Sequence, residues 1–113
     1  RFPYARLVVE NRAIGGYSSP FLVRTVERDV VTFLPDLVIF HVYGSRPEYE
    51  QVIRTIRTRT AAEVAIQTDH VNAYPPNEQQ KQRDAMSFEF LPAVAERYGC
   101  ALIDVRRPWL RAL

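Results

Sequence analysis

The sequence predicts an α/β protein, a three-layer α/β/α sandwich built on a parallel sheet. Short apolar runs alternate with longer helical patterns along the chain, the signature of βαβ units. One of those runs, DLVIFHVY (36–43), is apolar almost throughout, as strands covered on both faces of a parallel sheet are. No internal repeat, linker or low-complexity tract interrupts the alternation. The 113 residues are enough for one two-faced core. The chain opens on Arg1 and stops within a helical pattern, so 1–113 reads as a partial α/β domain, truncated at both ends.

The elements follow in order. ARLVVE (5–10) is the first expected strand, and NRAIGGYSS (11–19) a turn rich in glycine and serine. Pro20 suits the first turn of a helix, with Ser19 as its expected cap. Val23, Val26, Val30, Phe33 and Leu34 recur at spacings that line one helical face. DLVIFHVY is the second strand. Ser45 and Glu48 bracket Pro47 as a capping box, and Tyr49, Val52, Ile53 and Ile56 form the inward stripe of the next helix.

AEVAIQT (62–68) is the third strand, and DHVNAYPP (69–76) is too proline-rich for an inner strand or a helix. Asn77, with Gln80 three residues on, is placed to cap the following helix. That helix should turn Leu91, Val94, Ala95 and Tyr98 inward, bend or split at Pro92, and stop at Gly99. CALIDV (100–105) is the fourth strand, and RPWLRAL begins a last helix.

Composition narrows the classes. Apolar residues make up 47% and charged ones 25%, ordinary for a globular protein. No apolar run approaches the ~18 residues that a membrane span needs. Net charge is +2, and the arginines alternate with acids along the helical patterns. That describes solvated helix faces rather than the clustered footprint of a nucleic-acid binder. A single cysteine allows no disulfide framework within the chain, and the compartment stays open. Two histidines and one cysteine, widely spaced, match no zinc pattern, and no motif calls for a cofactor.

In open parallel sheets, ligands bind beyond the carboxyl ends of the strands. The segments of interest are therefore 11–19, 43–47, 69–76 and the residues after Asp104. Two glycines before a helix can present backbone N–H groups to a negative oxygen, or can simply make a tight turn. Asp69 and His70 are neighbours that should diverge if their strand persists. His70 then reads as a loop histidine at a pocket rim, and His41 as a hydrogen-bonded core histidine on the same face as Tyr43. Cys100 opens its strand and should lie at the opposite end of the sheet, which disfavours a Cys–His mechanism.

Order and spacing across nearly the whole chain resemble the SGNH/GDSL hydrolases. VVENRAIGGYSS is similar to that family's second block, in which an asparagine precedes an oxyanion-hole glycine by five residues, here Asn11 and Gly16. PDLVIFHVYGS resembles the third block, a buried strand ending in a Gly-x-Asn-Asp type of turn. TAAEVAIQTDHV and ERYGCALIDVR resemble the later strands.

The resemblance implies a flavodoxin-like sheet and a serine hydrolase of carboxylic esters, acting on small-molecule, glycan or lipid esters without a cofactor. It implies that Gly16 donates to the oxyanion and that Ser45 occupies the place of the family's asparagine. Tyr17, Tyr43, Gly44 and His70 fall at the rim, where substrate would bind. The family's Gly-Asp-Ser and Asp-x-x-His blocks are absent from these residues, so the 113-residue chain by itself is expected to be inactive. Ser45 in place of asparagine leaves a second class open, a non-catalytic binding or interaction domain of the same architecture. The sheet order the resemblance implies would put a further strand between ARLVVE and DLVIFHVY, with no ladder joining those two.

Overall fold

The computed structural model describes residues 5–71 and 77–113. Residues 72–76 of the expected proline-rich loop lie outside that range. The elements are α1 (Ser19–Asp29), a 3₁₀ turn (Val31–Phe33), β1 (Leu37–Phe40), α2 (Arg46–Arg59) and β2 (Glu63–Gln67). They are followed by α3 (Glu78–Ala85), a π-helical turn (Met86–Phe90), α4 (Leu91–Tyr98), β3 (Ala101–Ile103) and α5 (Arg106–Ala112). Because α3, the π turn and α4 are continuous, four helical rods accompany the sheet among the described residues.

The sheet is parallel, in the order β1-β2-β3. Val38 pairs with Val64 and Phe40 with Ile66, and Ile66 in turn pairs with Leu102. This is the expected chain order for the last three strands. ARLVVE, in contrast, is not a strand. Leu7 is 86% and Val9 86% exposed, and no ladder joins Val8 to Val38. A β-prone run becomes a strand only where a neighbour accepts its backbone hydrogen bonds, and residues 5–10 have none among the described residues.

The core lies against one face of the sheet. Val26 of α1, Tyr49, Val52, Ile53 and Ile56 of α2, and Leu91, Val94 and Ala95 of α4 close over Phe40, Val64 and Ile66. Burying a side chain such as Ile53 or Ile56 contributes about 1.5–3 kcal/mol. The opposite face is open, with Leu37 58% and Ile39 63% exposed. The described residues therefore form two layers rather than the three expected from the apolar run of β1. Crossovers between parallel strands are right-handed, so strands added in one direction place all their helices on one side. A third layer needs a strand added in the other direction.

Local signals explain most helix ends. The Asn77 side chain accepts from Gln80 N–H at 3.0 Å, as its position predicts. Gly99 is left-handed (φ +64), and the N–H groups of Gly99 and Cys100 close back on Glu96 and Ala95. That is a Schellman ending, open to glycine because it lacks a Cβ. The α-helical pattern is interrupted just before Pro92, between α3 and α4. The Pro92 ring would collide with the carbonyl four residues earlier, and the widened π turn at Met86–Phe90 absorbs the conflict.

Three expected end signals are not used. Ser18, not Ser19, is the N-cap of α1, and Ser45 caps α2 without a side-chain bond, so no capping box forms with Glu48. The inward stripe of α1 stops early, because Leu34 turns left-handed (φ 53) and stands 75% exposed.

Candidate functional site

The carboxyl ends of the strands gather two groups of residues. The first joins the glycine loop to the end of β1. Tyr17 N–H donates to Ile14 O at 3.1 Å and Gly16 has φ +83, the third residue of a type II turn, where glycine is favoured. Asn11 Oδ1 accepts from Ala13 N–H at 2.9 Å. Past the turn, Ser18 forms an isolated parallel bridge with Tyr43, and Ser19 N–H donates to Tyr43 O at 2.8 Å. The fully buried Ser19 hydroxyl donates to Ser45 O at 3.0 Å. The start of α1 is thereby stitched to the Tyr43-Gly44-Ser45 turn.

Gly44 makes that contact possible. It has φ +130, and a Cβ there would stand 2.8 Å from Ser19 N and 3.1 Å from Pro20 Cδ. Gly16 differs, since nothing lies within 4 Å of where its Cβ would be. The two glycines thus serve unlike ends: Gly44 permits close packing, and Gly16 turns a loop in open space. Tyr17 is half exposed and stacks on Phe21, with ring centroids 5.4 Å apart.

The second group centres on Asp69, just past the end of β2 and almost wholly buried. Its Oδ1 accepts from the Tyr43 hydroxyl at 2.9 Å, and its Oδ2 accepts from Arg83 at 2.8 Å. His70 Nδ1 lies 3.1 Å from Oδ1, and His41 Nε2 lies 3.9 Å from the same atom. The Arg83 guanidinium also sits 5.1 Å over the Tyr43 ring. Partial burial pushes the Tyr43 hydroxyl above its ordinary pKa, and the bond to Asp69 pushes it further. Tyr43 therefore stays protonated and donates.

Sequence neighbours on an extended strand point to opposite faces, yet Asp69 and His70 converge. The reason is that β2 ends at Gln67, earlier than AEVAIQT implies. His41 corrects a second expectation. It lies past the end of β1, exposed rather than in the core, with Nδ1 3.3 Å from Gln67 O. Its predicted proximity to Tyr43 holds, at 5.3 Å between rings.

Below the site, β2 and β3 are tied at their ends. The buried Thr68 hydroxyl oxygen accepts from Val105 N–H at 2.9 Å and Arg106 N–H at 3.1 Å. The Arg106 side chain is fully buried and donates to Asp84 Oδ1 (2.6 Å), His70 O (2.7 Å) and Gln80 Oε1 (2.7 Å). This clamp fixes the His70 backbone against α3. Trp109 of α5 approaches the His70 ring with centroids 5.7 Å apart, the planes inclined at 53°.

Of the six residues singled out from sequence, the structure joins Tyr43 and His70 through Asp69, and Gly44 and Ser45 through Ser19. Among the described residues no hydrogen bond or ring contact links Gly16 or Tyr17 to the Asp69 group. Cys100 sits at the start of β3, near Glu63 and Arg57 at the other end of the sheet, and burial raises its thiol pKa. Among the described residues no three His, Cys, Asp or Glu side chains converge in a way that would hold a metal ion, and no helix is long and apolar enough to cross a membrane.

Arg83, Arg106 and Trp109 carry no sequence signal of their own. Each reads locally as a helix-surface residue, and only the fold gives it a partner at the edge. No protein-family model and no curated protein matches this chain.

Proposed function

We propose that the chain is part of a serine hydrolase of the SGNH/GDSL type that cleaves carboxylic esters of a small molecule, a glycan or a lipid. One observation carries this assignment. The segments resembling the family's second and third blocks meet at the carboxyl edge of the sheet, through the Ser18–Tyr43 bridge and the 2.8 Å bond from Ser19 N–H to Tyr43 O. An oxyanion hole assembled from both blocks requires that contact, and their separation in sequence does not guarantee it.

In this reading the Gly16 N–H donates to the oxyanion from an uncrowded turn. Ser45 stands where the family has asparagine, and its hydroxyl is not spent on capping α2, so it can face the pocket. Each preorganised donor of this kind is worth about 2.7–4 kcal/mol in the transition state. The free edge of β1 is where a strand bearing the nucleophile would sit, completing a flavodoxin-like sheet and its third layer. The serine and its base belong to the Gly-Asp-Ser and Asp-x-x-His blocks, neither of which occurs in these 113 residues. The chain by itself then has no turnover by this mechanism.

Labelling the complete gene product with a fluorophosphonate, and reading the coding sequence on both sides, tests the assignment. A single labelled serine within an upstream Gly-Asp-Ser supports it. An intact gene that lacks both blocks and takes no label overturns it. That second outcome would favour a non-catalytic binding domain of the same architecture, to which Ser45 in the asparagine position already points.

A further inference from the structure

The turn that carries Gly16 walls a small cavity between α1, α2 and the end of β1. Ile14 and Tyr17, joined across that turn by the 3.1 Å bond, are both partly exposed and stand at the cavity's mouth. Val26 of α1, Phe40 of β1 and Ile56 of α2 are buried and form its floor. The cavity measures about 30 Å³. One water-sized group needs roughly 10–15 Å³, so about two fit. The floor belongs to the packed core, which does not expand to admit more. Arg12 and Asp29, the charged residues of the lining, carry opposite signs and give the cavity no net preference for an ion.

We propose that this cavity is an acyl pocket, one that selects acetyl and propionyl esters and turns away the long chains of lipid esters. The inference rests on the ester-hydrolase reading and narrows its substrate class. In that reading the ester carbonyl approaches Gly16. Nothing lies within 4 Å of where a Cβ on Gly15 or Gly16 would stand, so the tip of the turn is open to it. A carbonyl held at the tip leaves the acyl chain beside Ile14 and Tyr17, at the mouth. The methyl of an acetyl group or the ethyl of a propionyl group then fills the apolar floor. A longer chain has to displace Val26, Phe40 or Ile56, which are held in the core, or stay in water. Val26 and its neighbours on the floor thus determine acyl length.

The test is a chain-length series on the complete gene product, with the p-nitrophenyl esters of acetate, propionate, butyrate and octanoate. The first two should be cleaved with similar kcat/KM, and the last two at least about tenfold less efficiently, the usual effect of one methylene too many in an apolar pocket. Val26→Ala removes two methyl groups from the floor and should cut the penalty on butyrate by about tenfold. Octanoate cleaved as efficiently as acetate overturns the pocket, and so does a Val26→Ala protein with the wild-type ratio of butyrate to acetate. The wild-type series needs no substitution, so it decides the matter even if Val26→Ala does not fold. Fluorophosphonate labelling separates the two claims. A labelled serine without short-chain preference removes the pocket and spares the hydrolase, whereas neither label nor turnover on any ester removes both.

Discussion

Gly44 lies so close beneath the first turn of α1 that a Cβ on it would stand 2.8 Å from the Ser19 backbone nitrogen, and nearer still to the Ser19 hydroxyl. The start of α1 and the end of β1 are in contact because residue 44 has no side chain.

A contrast between glycines follows. Gly44→Ala meets backbone and demands a φ of +130 from alanine, so it should cost about 2–4 kcal/mol. Gly16→Ala meets nothing within 4 Å and should cost only about 1–2 kcal/mol, the penalty of a left-handed alanine. Urea denaturation separates the two. If the Gly16 N–H is the oxyanion donor, alanine keeps that N–H but puts a methyl group where the substrate carbonyl must approach, so the variant in the complete protein should also lose on the order of 100-fold in turnover. Folded Gly16→Ala with near-normal turnover would leave Gly16 a turn residue only.

Arg106 is the clamp beneath His70. Removing its charge in Arg106→Met leaves the His70 carbonyl and the Gln80 side-chain oxygen without this donor. The expected loss is about 3–5 kcal/mol, typical of breaking a buried charged network from one side. Asp84, partly exposed, can be rehydrated, which keeps the loss toward the lower end. A change below about 0.5 kcal/mol, the range of ordinary surface substitutions, would contradict the clamp.

Tyr49 is buried between Phe40 and Phe90, and among the described residues its hydroxyl has no hydrogen-bond partner. Burial holds that hydroxyl well above its ordinary pKa. The folded state therefore keeps its proton longer than the unfolded state as pH rises. Stability from this group is complete below about pH 10, the unfolded tyrosine value, and falls as pH climbs toward the folded value. Tyr49→Phe should remove that part of the alkaline loss. It should also raise stability at neutral pH by about 1 kcal/mol, since an unpaired buried hydroxyl is no longer desolvated. Thermal melts at neutral and alkaline pH check both signs.

The open sheet face and the free edge of β1 expose Leu37 and Ile39 beside an unpaired backbone. Such edges template association with other chains. The 113-residue chain should aggregate readily, and the double variant Leu37→Lys, Ile39→Lys should stay monomeric to higher concentration with little change in melting temperature. Light scattering measures the first effect and circular dichroism the second. Aggregation unchanged by the double variant would place the association surface elsewhere.

Local structure was written in the residues themselves. The 3.6-residue stripe of Tyr49, Val52, Ile53 and Ile56, the Asn77 cap and the Gly99 stop were legible because each depends on residues within a turn or two of one another. The parallel order of β1, β2 and β3 followed from their alternation with helices. What required a partner from afar was not legible. Among the described residues ARLVVE has the composition of a strand but no neighbour, and the apolar run of β1 implies two covered faces where the described helices cover one. Ser19 reads as a cap until Ser45 accepts its hydroxyl hydrogen bond across the turn. The Asp69 group joins Tyr43 from 26 residues before it and Arg83 from 14 after. No periodic pattern reaches that far, because such contacts are set by how the strands stack and where each one ends. The stop of β2 at Gln67, a matter of pairing with β3 and of Thr68 turning to bind Val105 and Arg106, let Asp69 and His70 face each other.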